Sequence, residues 1–133
     1  MSFGGTTTSA IVAGGATSTG ATANSESWNG TNWTEVSDLN TGRSYLAASI
    51  QGTPSTTLVY GGYTGGSDDV ANTEEWNGVS WAEVADLSTA RKNLGGALRG
   101  TTSASLAFGG EPPTTGATEE WNVPSNVVKT LTD

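Results

Sequence analysis

Cysteine and histidine are both absent from the 133 residues. Their absence excludes disulfides, thiolate or imidazole metal centres, and nucleophile–base chemistry built on either residue. Basic residues are also scarce: five Lys and Arg stand against 13 Asp and Glu, for a net charge of −8. With no basic patch, neither nucleic acid nor an anionic membrane surface is an expected partner. No apolar run approaches the roughly 20 residues of a membrane span. The start, Met1-Ser2-Phe3-Gly4-Gly5, has neither the charged nor the apolar region of a signal peptide. Hydrophobic residues reach only 34% and charged residues 14%, against roughly 45–50% and 25% in ordinary globular chains. Small residues fill the difference, with 19 Gly, 22 Thr and 15 Ser. Five Trp and recurrent short apolar runs argue for burial rather than disorder.

A repeat organises the whole chain. Trp28 recurs at Trp76, Trp33 at Trp81, Arg43 at Arg91 and Leu46 at Leu94, each shifted by 48. Aligning residues 26–49 with 74–97 gives 12 identities in 24 positions. Gly61-Gly62 match Gly109-Gly110 at the same shift and Gly14-Gly15 at a shift of 47; Glu74-Glu75-Trp76-Asn77 match Glu119-Glu120-Trp121-Asn122 at 45. The slips fall between the glycine pair and the next Trp, which marks that stretch as a loop.

Each copy reads as four short strands, in the middle copy at residues 45–51, 56–60, 73–76 and 81–87. Two-residue alternation, aromatic and β-branched content, and Gly, Asn, Ser and Asp punctuation support strands over helices. The Trp-Asn-Gly-x-x-Trp segments starting at Trp28 and Trp76 read as hairpins, with Asn-Gly supplying the positive φ of a tight turn. Residues 126–132 take the fourth-strand place of the last copy. Four short strands every 45–50 residues is the arithmetic of propeller blades.

These residues resemble the kelch repeats, found also in galactose-oxidase-like propellers. The matching run is Arg43, then Leu58-Val59-Tyr60-Gly61-Gly62, then Glu75-Trp76 and Trp81; the next copy supplies Arg91, Leu106-Ala107-Phe108-Gly109-Gly110 and Glu120-Trp121. The Thr, Ser and Gly richness and the Trp-Asn-Gly hairpins are similar to kelch-like repeats of tailed-phage structural proteins. The resemblance implies an all-β domain over residues 1–133, with three four-stranded antiparallel blades at about 1–41, 42–89 and 90–133.

Three blades do not close a ring, since propellers typically need four to eight. The expectation is half of a six-bladed propeller, closed as a homodimer. The alternatives are a fragment of a larger propeller, a partner chain supplying the missing blades, or a nine-bladed trimer.

The resemblance places Arg43 and Arg91 near the mouth of the central channel. They are candidates for binding a carboxylate or phosphate, or for pairing with Asp38 or Asp86 to fix their own loops. The Trp residues recur as scaffold residues do, which favours packing over a sugar platform. Glu74-Glu75 and Glu119-Glu120 cannot act as a glycosidase pair, because neighbours on a strand point to opposite faces. Recognition belongs where the copies differ, in the loops at 16–24, 63–72 and 111–118. The candidate binding residues are Arg43, Tyr45, Tyr63, Asp68, Asp69, Arg91 and Glu111. Asp68-Asp69 lack a defined calcium-loop pattern, so no metal and no cofactor are expected. The copper chemistry of galactose oxidase needs His and Cys, and no other matched catalytic pair emerges. The expected function is a non-catalytic module, viral or extracellular, binding a glycan or a protein; the alternative is a cytoplasmic kelch-type adaptor.

Overall fold

The computed structural model describes residues 2–50, 55–97, 100–122 and 127–131. Among them are twelve strands and no helix, arranged as three antiparallel four-stranded sheets. The first sheet holds β1 (Ser2–Thr6), β2 (Ser9–Thr17), β3 (Gly20–Trp28) and β4 (Trp33–Glu35) in chain order. The second holds β5 (Ala47–Ile50), β6 (Thr57–Tyr60), β7 (Thr73–Trp76) and β8 (Trp81–Val84). The third holds β9 (Gly95–Gly96), β10 (Ala104–Phe108), β11 (Thr118–Asn122) and β12 (Val127–Leu131). The middle-copy strands expected at 45–51, 56–60, 73–76 and 81–87 all form, with shorter ends; Gln51 lies outside the described residues.

The Trp-Asn-Gly hairpins form with four-residue loops. Trp28 pairs with Trp33 and Trp76 with Trp81. Asn29 Oδ1 accepts the Thr31 and Asn32 N–H groups at 2.9 Å, and Asn77 Oδ1 does the same for Val79 and Ser80. The asparagine thus acts through its side chain, while Gly30 and Gly78 carry the positive φ. Residues 16–24 depart from the expected loop. Strands β2 and β3 continue to a two-residue turn at Ser18-Thr19, with Thr17 paired to Gly20. Thr17 Oγ1 donates to Gly20 O at 2.9 Å, so the threonines close this tip as a hairpin.

The sheets form an open row. Strand β1 lies beside β5 and β5 beside β9, with no comparable approach of β9 to β1. The middle sheet is therefore covered on both faces, and all four residues of β6 are buried. In β10, covered on one face, burial alternates residue by residue. Two apolar cores result. Between the first and second sheets, Ile11 and Ala13 meet Ala48, Val59, Trp76 and Trp81. Between the second and third, Leu58 and Tyr60 meet Ala107 and Trp121. The indole of Trp81 crosses the first joint and donates to Ser25 Oγ at 3.1 Å. The Tyr60 hydroxyl crosses the second and donates to Leu106 O at 2.9 Å.

The connectors lock each joint. The segment from Leu39 to Leu46 packs between the first two sheets, with Arg43 and Leu46 inside. Gly15 N–H donates to Arg43 O at 2.8 Å, and a Cβ on Gly14 would stand 2.7 Å from that oxygen. Gly62 and Gly61 hold the same relation to Arg91 O, at 2.9 and 2.6 Å. Side chains are excluded there both by space and by the left-handed φ of 66° and 63° at Gly14 and Gly61.

The guanidinium of Arg43 pairs with Glu74 at 3.0 Å and that of Arg91 with Glu119 at 2.8 Å, all four side chains being buried. Glu74 also accepts the Asn40 N–H at 2.8 Å and the Asn40 side-chain amide at 2.9 Å. Burial draws the Arg43 guanidinium below its usual pKa, and the Glu74 charge offsets part of that shift. The expected alternative partners lie elsewhere: Asp38 and Asp86 accept the Ser25 and Thr73 N–H groups.

Trp76→Ala should cost about 3–5 kcal/mol in urea unfolding, while Trp33→Ala, at a half-exposed site, should cost about 1 kcal/mol or less. Equal losses would contradict the assignment of Trp76 to the core. Glu74→Ala should cost about 3–5 kcal/mol by stranding the buried Arg43, whereas the exposed Glu26 at the matching position of the first copy should tolerate the change. Burial pushes the Tyr60 hydroxyl up to about 12 from its ordinary 10. Its folded pKa lies above its unfolded one, so the contribution is complete below pH 10 and is lost between pH 10 and 12. Absorbance titration should show one tyrosine ionising only with unfolding, and Tyr60→Phe should remove that step.

Candidate functional site

The loops after the second and third glycine pairs are clamped to the connectors of their own sheets. Ser44 and Tyr63 exchange two backbone hydrogen bonds of 2.8 Å, and Lys92 and Glu111 repeat the arrangement at 2.8 and 3.0 Å. Beyond each clamp the connector turns at one left-handed residue, Tyr45 or Asn93, both with φ of 54°. The turn lets Arg43 and Leu46 point inward while Tyr45, between them, is 52% exposed. A tyrosine in this region carries backbone strain that asparagine bears more readily. The Asn93 N–H donates to Tyr45 O at 3.0 Å, so the two turns are neighbours across the sheet joint.

Around them one cluster gathers from both sheets. The Tyr45 and Tyr63 ring centroids lie 6.4 Å apart with planes inclined at 52°. Lys92 Nζ sits 4.7 Å from the Tyr63 ring centroid and pairs with Asp69 at 3.0 Å. The hydrogen bond that the Lys92 ammonium donates to Asp69 raises the Lys92 pKa, so the ammonium stays charged through the neutral range. The Asn93 side-chain amide donates to Glu111 Oε1 at 2.7 Å. Tyr63 is held by its hydroxyl, which donates to Gly66 O at 2.6 Å. The loop is shaped for this contact by Gly65 and Gly66, both at positive φ.

Of the residues expected to bind a ligand, Tyr45, Tyr63, Asp69 and Glu111 come together here. Asp68 is exposed and its side chain joins none of these contacts. Arg43 and Arg91 do not reach the loop surface: both are buried and committed to Glu74 and Glu119. The register that clamps Ser44 to Tyr63 and Lys92 to Glu111 turns the preceding arginine inward. A buried guanidinium with a buried carboxylate partner presents nothing to an outside anion.

Lys92 and Asn93 are the members that sequence comparison missed. They match Ser44 and Tyr45 at the shift of 48 and differ from them in type. Non-identity between the two connectors was the available signal, as it was for the loops, though it also marks Asn40/Ser88 and Gly42/Ala90.

Chemically, the cluster offers one exposed and one half-buried aromatic ring, one cation held against an acid, and an amide–carboxylate pair. It contains no cysteine, histidine or serine nucleophile. Among the described residues no three acids converge as cation ligands. Compared with protein-family models and with curated proteins, the chain matches none.

Proposed function

We propose that the chain is a non-catalytic recognition module of kelch-like β-propeller type, its three sheets serving as blades. It binds glycan through the loop face, as a viral or extracellular component. The observation that carries the binding site is Tyr45, exposed beside Tyr63 and held in a left-handed turn. Strain of that kind persists where surrounding structure over-determines it, and it concentrates at ligand sites.

A pyranose ring carries C–H groups on its faces and hydroxyls at its rim. Tyrosine matches both with an apolar ring and a polar tip. Asp69, Glu111 and Asn93 supply acceptors and donors for the hydroxyls, while Lys92 limits repulsion between the acids. The rigid sheet joint beneath fixes the ring spacing, which lowers the ordering cost of binding.

The propeller reading is supported by the row of repeated four-stranded sheets with their first strands side by side. Also in its favour are the glycine pairs and buried arginines at matching positions of successive copies.

A glycan array followed by titration of the best sugar tests this function. Tyr45→Gly deletes the ring and suits the φ of 54°. It should reduce affinity at least about tenfold, roughly 1.4 kcal/mol, without lowering the unfolding midpoint. Tyr63→Ala should weaken binding similarly. Unchanged affinity in Tyr45→Gly would remove the loop face as the site. Absence of any sugar ligand, with a peptide ligand instead, would favour an adaptor role.

A further inference from the structure

The two ends of the row carry the same residues that the interior buries. In the second sheet, Leu58 and Tyr60 point at the third sheet and are 0% and 3% exposed. Their counterparts in the third sheet, Leu106 and Phe108, are 38% and 46% exposed, because no fourth sheet covers them. At the other end, Trp81 of the second sheet is buried against the first, whereas its counterpart Trp33 is 47% exposed. Val12, in the position of the buried Val59, lies on that same outward face of the first sheet.

Polar contacts stop at the same places. Gly15 and Gly62 N–H donate to arginine carbonyls, while Gly110 N–H has no acceptor among the described residues. A Cβ on Gly109 would meet only Thr115 O, at 3.7 Å, where Gly14 and Gly61 face a carbonyl and two leucines. Glu74 and Glu119 each hold a buried arginine, while the matching Glu26 is exposed. Terminal units of a repeat array that ends in solvent need a polar outer face. Here the ends are mixed: Glu26 and Glu35 flank Val12 and Trp33, and Glu120 stands beside Leu106, so large apolar side chains share each outward face with carboxylates.

We infer that the outward face of the third sheet docks on the outward face of the first sheet of a second copy. This goes beyond the glycan-binding reading and does not depend on it. The apolar part of the joint repeats the internal geometry: Leu106 and Phe108 of one copy cover Val12, Trp28 and Trp33 of the other, as Leu58 and Tyr60 cover Ala107 and Trp121. The contact is heterologous, tail to head, and two such joints close two copies into a ring of six sheets with no outward face left over. Six lies within the range in which propeller rings close.

Light scattering over a dilution series should read twice the chain mass of 13.4 kDa. Phe108→Glu at the tail and Trp33→Glu at the head should each halve that mass while leaving the far-UV circular dichroism unchanged. An equimolar mixture of the two variants should regain the doubled mass, because one unaltered tail still meets one unaltered head. Leu106→Glu and Val12→Lys replace these variants if either unfolds. A wild-type chain that stays at 13.4 kDa up to its solubility limit would overturn the inference. So would a head variant that remains dimeric, which would mean tail-to-tail pairing, or an assembly of three or more copies. Glycan affinity measured on the same samples separates the two readings, since the Tyr45 cluster lies within one chain.

Discussion

The buried pairs Arg43–Glu74 and Arg91–Glu119 hold the architecture together at the point where one sheet hands over to the next. Each arginine works at both ends. Its carbonyl accepts from a glycine N–H of the sheet behind, and its guanidinium meets a carboxylate on the third strand of its own sheet. Two charges taken out of water are costly, and attraction between them offsets that cost only with close geometry and further hydrogen bonds. Glu74 has them from Asn40 and Thr41, and Glu119 from Ser88. The connector therefore has one place to lie, and the spacing between sheets is set with it. Replacing either glycine pair would drive a Cβ into the arginine carbonyl and disturb the same point.

Because the connector is immobilised from below, the residues that follow it can be presented outward without support of their own. Ser44 and Lys92 are clamped by backbone to Tyr63 and Glu111, and the next residue must then turn left-handed to send leucine back into the core. Tyr45 and Asn93 occupy those turns, adjacent across the joint. The Tyr45–Tyr63–Lys92–Asp69 arrangement is thus a consequence of the scaffold pair beneath it. Varying these side chains leaves the arginine–glutamate lock untouched, which is how one repeated framework can carry a non-repeated surface.

The apolar faces follow a different rule. Strand β6 is buried at every position and β10 at every second one, although their sequences follow a similar plan. The difference lies in having one neighbour or two. A row of three sheets leaves one uncovered face at each end, and those faces present Phe108 and Trp33 where the interior hides Tyr60 and Trp81. Large exposed apolar side chains make such faces poor solvent boundaries and good joints.

The repeat of 45 to 48 residues, read from Trp, Gly-Gly and Arg positions alone, determined the strands, their order within each sheet and the division into three units. These follow from local signals: alternation, glycine at positive φ, and asparagine side chains closing hairpins. The fate of a residue that depends on a neighbouring element was not legible in the same way. Nothing local to Arg43 selects Glu74, 31 residues on, over the nearer Asp38. That choice comes from strand register, which brings β7 alongside the connector. Residues 16–24 resembled the other loops by position, yet threonine pairing made them a hairpin. Lys92 and Asn93 joined the loop cluster only because two sheets meet there. Local chemistry is written residue by residue, whereas burial and partnership depend on which surfaces come to face each other, and only the tertiary structure decides that.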